Sequence, residues 1–148
     1  MGNRTYIAAP VVGLSEEQRN QRGRVADRAL DVFHGTVHMP WILKIPNAWN
    51  MPMNEWARCV FTQDLLELDC ADIVVVCDYG RRSTAGTAWE AGYAFAKGKS
   101  VLVVQMPGVD EVSLMVRNGC TAVISYDEFI ERPFSWPDYK KCTGIMQN

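Results

Sequence analysis

The segment "ADIVVVCD", Ala71 to Asp78, constrains the fold of this chain more than any other stretch. It is a continuous apolar run and not an alternation of apolar and polar residues. Such runs are typical of strands that are buried on both faces of a sheet. A sheet covered on both faces needs helices on either side of it. The segment therefore predicts a parallel sheet whose strands are joined by helical crossovers.

Strand and helix patterns alternate along the rest of the chain, as such a sheet requires. Further strands are predicted at residues 4–9, 100–105 and 121–125, and one more is expected within 36–44, where proline and the lack of a clear period obscure its bounds. Helices are predicted over residues 15–33, 54–68, 83–98, 109–118 and 127–131. Ser15 and Gln18 have the spacing of a capping box, and Asn54 is the expected cap of the second helix. The sequence predicts one α/β domain, residues 1–148, with a doubly wound, flavodoxin- or Rossmann-like sheet of five parallel strands.

Composition narrows the classes of partner and cofactor. The net charge is -2, and the chain lacks the basic face that a nucleic-acid polymer requires. Its apolar stretches are too short to cross a bilayer and its N-terminus lacks a signal-peptide pattern, so we expect a cytoplasmic protein without membrane contact. Neither a disulfide framework nor a metal site is expected, because the five cysteines lack ligand spacing; buried free thiols are predicted at Cys59, Cys70, Cys77, Cys120 and Cys142.

The residues after the first and central strands are the first candidates for ligand binding. In a doubly wound sheet, ligands bind beyond the carboxyl ends of the strands. Pro10 follows the first strand, and the loop after Asp78 is small, polar and leads into a helix N-terminus, which attracts anions. This loop contributes Arg81, Arg82, Thr84 and Gly86 as candidate substrate-binding residues. It is neither a Walker loop nor a dinucleotide G-x-G-x-x-G motif, and an ordinary connection is the alternative interpretation.

Glu90 is the most unusual residue of the helix that follows this loop. It is the single charged residue between Ala85 and Ala96, and its helical neighbours are small or amphipathic. A glutamate in a helix normally points to solvent, but this helix has no solvated charged face. A carboxylate that is partly buried against a sheet is costly unless partners or a function compensate. Glu90 is therefore a candidate functional residue.

The stretch "ADIVVVCDYGRRSTAGTAWEAGYAFAKGKSVLVV", together with "TYIAAP" and "FTQDLLELDCAD", resembles the nucleoside 2-deoxyribosyltransferase family. The resemblance runs from Tyr6 to about Val116 and leaves residues 36–53 unmatched. It implies that Glu90 is the catalytic nucleophile, that Asp64 contacts or protonates the base, and that Tyr6 hydrogen-bonds the nucleophile. It also implies that no metal or organic cofactor is needed. Without the resemblance, Asp64 reads equally well as a solvated helix residue and Tyr6 as a core aromatic.

Two positions depart from the pattern of the transferases. Thr84 stands where they usually carry an aspartate for the sugar 5′-hydroxyl, and Ser113 stands where they carry an asparagine that reaches across a subunit interface. Hydroxyl residues at these positions resemble the related deoxynucleoside-monophosphate N-glycosidases, which hold a 5′-phosphate with serines. The arginine-bearing loop that those hydrolases have after the first strand is missing from "PVVGLS".

The resemblance implies an enzyme that cleaves the N-glycosidic bond of 2′-deoxynucleosides or their 5′-monophosphates through a covalent glutamate intermediate. Transfer of the deoxyribosyl group to another base is the first expectation. Hydrolysis of a nucleoside 5′-monophosphate is the alternative, and a non-catalytic nucleotide sensor is a third. The expected partners are a nucleoside or nucleotide and a free nucleobase. The position of Ser113 also implies a homodimer or larger homo-oligomer with shared active sites.

The remaining candidates lie between the first helix and the start of the second helix. His34 and His38 are predicted to be surface or loop residues, since no Ser or Cys stands at a meaningful spacing from them. The tryptophans and methionines of this region are predicted to form one apolar cluster, either a lid over a nucleobase or a satellite of the core. This cluster comprises Trp41, Trp49, Trp56, Met39, Met51 and Met53.

Overall fold

The computed structural model of the protein describes residues 2–82 and 85–137, and the side chain of Arg82 lies outside this description. Five parallel strands form one sheet in the order β2-β1-β3-β4-β5. The strands are β1 Arg4–Ala8, β2 Thr36–His38, β3 Ile73–Asp78, β4 Ser100–Gln105 and β5 Ala122–Ser125. The α-helices are α1 Glu16–Phe33, α2 Met53–Cys70, α3 Ala85–Ala96, α4 Leu114–Asn118 and α5 Tyr126–Glu131. Short 3-10 helices span Pro40–Ile42, Ala48–Asn50 and Gly80–Arg82.

Two hydrophobic clusters cover the two faces of the sheet. Helices α1 and α5 pack on one face, where Val25 and Phe129 are fully buried. Helices α2 and α3 pack on the other face through side chains such as Leu68 and Ala94. All six residues of β3 are buried, as its apolar run predicts. The doubly wound parallel fold expected from the sequence is therefore confirmed.

The strand order determines where a crevice opens in the sheet. After β1 the chain crosses to the edge strand β2, and it then returns to place β3 on the opposite side of β1. The connections that leave β1 and β3 thus diverge to opposite faces at the carboxyl edge of the sheet. This divergence leaves room for a ligand at that edge.

Some element boundaries differ from those predicted. Helix α2 begins at Met53 after Pro52, whose fixed φ and missing N–H suit a helix start, and the Asn54 side chain accepts a hydrogen bond from the next amide. Helix α4 begins at Leu114 and not at Val109, because the Ser113 hydroxyl caps it by accepting from the Val116 amide at 3.3 Å. Strand β2 ends at His38, since Pro40 starts a 3-10 turn.

The start of β2 depends on Gly35. This residue has φ +79°, and a Cβ built on it would lie 2.0 Å from the carbonyl oxygen of Asn3. The close approach lets the Thr36 amide donate to the same carbonyl at 3.0 Å. The resulting register pairs Tyr6 with His38 across β1 and β2.

The structure bears on two further expectations, one about membrane-spanning segments and one about the cysteines. Among the described helices, none is both long enough and apolar enough to span a bilayer. The prediction of buried free thiols holds for Cys77 and Cys120 but is wrong for Cys70, which is exposed near the end of α2, and Cys59 is only partly buried. Cys142 lies outside the described residues.

Candidate active site

A cavity of about 580 Å³ opens at the carboxyl edge of the sheet beside Glu90. Its walls come from three parts of the chain: the β1–α1 loop, the segment at Pro40 with α2, and the start of α3. Most of the lining is apolar. The lining residues are Ala9, Val11, Val12, Pro40, Trp56, Ala57, Val60, Phe61, Asp64, Leu65, Leu68, Gly86, Trp89 and Glu90.

Helix α3 orients Glu90 toward strand β1. Thr87, Ala91 and Ala94 are its buried residues, so this stripe of small side chains brings the helix close to the sheet. Glu90 lies beside that stripe and is partly buried. The hydroxyl of Tyr6, which is fully buried in β1, donates a hydrogen bond to Oε2 of Glu90. The sequence expectation that these two residues meet is therefore matched by the geometry.

The protonation equilibrium of Glu90 is strongly shifted. Burial raises the pKa of Glu90 from 4.5 to about 7, and the nearby Asp64 carboxylate adds to the rise. The Tyr6 hydrogen bond and the charge of His38 oppose it. Burial and the adjacent Glu90 also raise the pKa of Tyr6 far above its ordinary value, so the phenol stays protonated and donates. Near neutral pH, Glu90 is therefore present in both protonation states.

Asp64 faces this pair from helix α2. Its Oδ1 lies 3.3 Å from Nε2 of His38, and Nδ1 of His38 lies 4.0 Å from Oε2 of Glu67. The His38 ring stacks on the Tyr6 ring with centroids 5.2 Å apart. One imidazole thus connects the Tyr6–Glu90 pair to the acidic side chains of α2.

His38 is the site residue that the sequence analysis missed, and its prediction as a surface or loop residue is wrong. It belongs to β2 and has only 18% of its side chain exposed. A three-residue strand has no readable period, and the register that sets His38 opposite Tyr6 depends on a turn at Gly35. The Gly-Thr-Val-His sequence itself was the available signal, because Gly before two β-branched residues suits a turn that enters a strand. His34, by contrast, is exposed as predicted.

The predicted aromatic cluster is not one cluster. Trp56 lines the cavity with Phe61 and Trp89, and the last two meet edge to face at 5.6 Å. Trp41 packs against the core on the α1 side of the sheet, whereas Trp49 is 86% exposed. The prediction was wrong because Trp41, Trp49 and Trp56 belong to three different elements, two separate 3-10 turns and helix α2.

The predicted substrate-binding residues are dispersed. Gly86 lines the cavity, whereas the buried Pro10 does not, although both of its neighbours in the chain do. Arg81 lines a separate cavity of about 540 Å³ beside the β4–α4 loop. Ser113 caps α4 and does not line the Glu90 cavity of its own chain. Thr84 and the Arg82 side chain lie outside the described residues.

The charge of the cavity is negative. Asp64 and Glu90 are the charged side chains among its described lining residues, and that lining includes no cation. Across residues 2–82 and 85–137, no group of three or more His, Cys, Asp or Glu side chains is arranged to hold a metal ion. Two carboxylates on different walls, one hydrogen-bonded and one beside an imidazole, suit acid-assisted cleavage of a glycosidic bond.

A family model and a curated relative point to the same protein family. Residues 5–118 match the family model described as nucleoside 2-deoxyribosyltransferase. A nucleoside deoxyribosyltransferase of Lactobacillus johnsonii is 27% identical over 95 residues, which cover 62% of this chain and 63% of that protein. The aligned region thus spans less than two thirds of that relative.

Solved structures share the fold over most of the chain. The structure of a 2-deoxyribosyltransferase from Bacillus psychrosaccharolyticus matches with a TM-score of 0.73 and 26% identity, over 88% of this chain and 92% of that one. A conserved protein from Enterococcus faecalis matches at 0.67 with 16% identity, over 89% and 97%. A CMP N-glycosidase of Clostridium botulinum matches at 0.53 with 19% identity, over 86% and 92%. The last two likenesses concern the fold alone.

Proposed function

Because this chain belongs to the nucleoside 2-deoxyribosyltransferase family, we propose that it cleaves the N-glycosidic bond of 2′-deoxynucleosides and transfers the deoxyribosyl group to a second base. The observation that carries the proposal is the hydrogen bond between Tyr6 and Glu90 on one wall of a cavity whose α2 wall holds Asp64. A nucleophilic carboxylate and an acid on separate walls are what a double displacement at C1′ requires.

In the proposed first step, the Glu90 carboxylate attacks C1′ from the face opposite the base. An ester forms between Glu90 and C1′ while the N-glycosidic bond breaks, and its electron pair passes to the base nitrogen. Asp64, in its protonated form, gives its proton to the base nitrogen, which makes the base a better leaving group and leaves Asp64 as a carboxylate. In the second step, the acceptor base attacks C1′, the ester breaks, and the proton returns to Asp64.

Two neighbouring residues support these roles. The Tyr6 hydroxyl fixes one oxygen of Glu90, so the other oxygen is free to face the sugar. His38 lies 3.3 Å from Asp64, close enough to exchange a proton with it between the two steps. The apolar aromatic walls from Trp56, Phe61 and Trp89 would cover the flat faces of a base and exclude water from the ester.

The proposal is tested by incubating the protein with a deoxynucleoside and a different free base. We expect the exchanged nucleoside to form, and we expect Glu90→Ala to abolish exchange while the fold survives. A 2-fluoro-substituted deoxynucleoside should leave sugar mass on the peptide that contains Glu90. A Glu90→Ala variant with wild-type turnover, or label on another peptide, would contradict the covalent mechanism.

Hydrolysis of a deoxynucleoside 5′-monophosphate is the second candidate function. The observation that favours it is Thr84, where a hydroxyl replaces the aspartate that would repel a phosphate. Two unit charges about 4 Å apart near a protein surface interact by roughly 4 kcal/mol. Against it, the described lining of the cavity has two carboxylates and no cation, and Arg81 faces another cavity.

The variant Thr84→Asp separates the two candidates. If Thr84 lies beside the 5′ position, the new carboxylate should depress turnover of a monophosphate much more than turnover of the matching nucleoside. Thr84→Asn is the matched control, because it has a similar size without the charge. A wild type that releases no base from any common monophosphate, or equal effects of Thr84→Asp on both substrates, would leave nucleosides as the substrates.

A further inference from the structure

Helix α1 carries an arginine whose surroundings differ from those of an ordinary helix residue. Arg22 is only 5% exposed. Burial lowers the pKa of its guanidinium, although the group stays charged near neutral pH. Among the described residues it forms no ion pair with a carboxylate. Its Nε is buried and has no hydrogen-bond partner in the structure. Such a residue requires an explanation, because a buried charge without a counter-ion destabilises a fold.

The first contact of Arg22 is with the loop between β1 and α1. Its Nη1 donates to the carbonyl oxygen of Pro10 at 2.5 Å and lies 3.3 Å from that of Val11. Ala9, Val11 and Val12 of this loop line the cavity of Glu90. The side chains of Val11 and Val12 are 49% and 74% exposed, so they add little packing to the middle of the loop. The guanidinium binds the backbone of this part of the loop.

The second contact of Arg22 is with the turn after β2. The centre of its guanidinium lies 4.5 Å from the centroid of the Trp41 ring, a cation–π distance. Trp41 belongs to the 3-10 turn Pro40–Ile42, and Pro40 of this turn lines the same cavity. The β1–α1 loop and the Pro40 turn are thus both bound to one buried side chain.

We propose that Arg22 is a positioning residue that holds these two walls of the substrate cavity at a fixed separation. It contacts neither Glu90 nor Asp64 and packs on the α1 side of the sheet, opposite the nucleophile. Its effect on substrate therefore passes through the backbone of the loop and the ring of Trp41. A wall that contacts substrate equally in the ground state and the transition state affects KM and not kcat.

The chemistry of arginine suits this role better than that of lysine. A guanidinium is a rigid group whose Nη1 can donate to two adjacent carbonyls while its central carbon lies near an aromatic ring, as Arg22 does with Pro10, Val11 and Trp41. An ammonium group can make a comparable hydrogen bond but cannot do both in one geometry. A conservative change to lysine should therefore preserve the charge and yet loosen the two walls.

The variants Arg22→Met and Arg22→Lys test the proposal, with Arg19→Met as the matched control. Arg19 is one turn earlier on α1 and donates to the Leu14 carbonyl of the same loop at 2.8 Å, but Leu14 does not line the cavity. We expect Arg22→Met to raise KM for a deoxynucleoside at least about fivefold with kcat within about twofold, and Arg22→Lys to fall between it and wild type. Arg19→Met should leave KM unchanged.

Hydrogen exchange gives a second readout that does not require turnover. Amides of the segments 11–13 and 41–43 should exchange faster in Arg22→Met, whereas amides of α3 should not change. The predicted change in KM rests on the proposed function, but the predicted change in amide hydrogen exchange does not. If the wild type does not exchange bases, faster amide hydrogen exchange in both segments of Arg22→Met still supports the positioning role of Arg22. Unchanged amide hydrogen exchange in these segments overturns it.

The remaining outcomes are also decisive. Equal KM values for wild type and Arg22→Met, or a loss of kcat alone, would overturn the positioning role. If Arg22→Met fails to fold, Arg22→Lys and Trp41→Leu replace it, because each removes one part of the same contact. Both variants should then raise KM, and a lower melting temperature with unchanged KM would show that Arg22 serves the fold only.

Discussion

At the scale of single residues, the protein places its proposed nucleophile where ionisation is costly. The pKa of Glu90 is raised to about 7, chiefly by burial. A carboxyl whose pKa is higher in the folded state binds its proton more tightly there than in the unfolded chain. Its contribution to stability therefore falls as pH rises from about 4.5 to about 7. The same desolvation makes the ionised carboxylate a better nucleophile, since water does not shield it.

Glu90→Gln should stabilise the fold at pH 8 while it removes activity. The amide avoids the cost of ionisation, and its oxygen can still accept from Tyr6. The difference between a pKa of 4.5 and one of about 7 corresponds to a gain of about 3 kcal/mol at most in the free energy of unfolding above pH 7. At pH 5 the gain should be small. Urea denaturation at both pH values measures it. A variant that is less stable than wild type at pH 8 would contradict the burial of an ionised Glu90.

Tyr6→Phe should raise the pKa of Glu90 further, because the hydroxyl that stabilises its charged form is lost. The acidic limb of the pH profile of kcat/KM should therefore move to higher pH, with a loss of about 10–100-fold near pH 7. Tyr79→Phe is the matched control, since the Tyr79 hydroxyl donates to the Gln18 carbonyl beside the other cavity. An acidic limb at an unchanged pH would show that Tyr6 does not affect the pKa of Glu90.

At the scale of secondary-structure elements, the short edge strand β2 contributes His38 to the site. Its three residues pair with β1 and bring His38 onto the Tyr6 ring and next to Asp64. The turn at Gly35 makes this register possible because the backbone passes too close to Asn3 for any side chain. A small displacement of β2 would separate His38 from both of its neighbours.

Gly35→Ala should destabilise the protein by at least about 2 kcal/mol and reduce activity, since it adds both a clash and an unfavourable φ. Gly98→Ala is the matched control. Gly98 has a similar φ of +74°, but a Cβ there would meet no atom within 4 Å, so only the backbone strain of about 1 kcal/mol applies. Denaturant unfolding of both variants measures the difference. Equal losses of unfolding free energy in the two variants would show that the close approach to Asn3 does not exclude a side chain at position 35.

The elements that were predictable from sequence are those with a strong local pattern. The buried run of β3, the alternation of strand and helix patterns along the chain and the capping box of Ser15 and Gln18 all correspond to observed elements. Glu90 was identified as the single charge of an otherwise uncharged helix, whereas its role and that of Tyr6 were inferred from resemblance, and the two residues are in contact. His38 and Arg22 were missed because their roles depend on register and on contacts between distant segments. No pattern within a short window encodes such contacts.

At the scale of the whole molecule, the described lining of the proposed site includes no residue of α4. Ser113, at the start of α4, does not reach the Glu90 cavity of its own chain. The residues that follow it, Leu114 and Met115, are 73% and 78% exposed. Exposed apolar residues beside a residue with an expected role in a neighbouring site suit a subunit interface. We therefore propose a homodimer or larger homo-oligomer with shared sites.

Mixing two inactive variants tests the shared site. In a dimer of Glu90→Ala with Ser113→Ala, one of the two sites has both residues intact. Mixed subunits should therefore recover up to about a quarter of wild-type activity, although neither variant alone is active. Ser125→Ala is the control for loss of a helix cap, because the Ser125 hydroxyl caps α5 by accepting from the Glu128 amide at 3.2 Å. An active monomer by light scattering would reject the shared site.

The hydrogen bond between Tyr6 and Glu90 also has a consequence for the order of events during folding. Its two residues are 84 positions apart in the chain. Strand β1 pairs with β3 in parallel, and α1, β2 and α2 lie between these two strands in the chain. Isolated helices form in about a microsecond, whereas parallel pairings between distant segments form much later. During refolding, we therefore expect the proposed nucleophile to acquire its partner late, so that a partly folded chain lacks the complete site.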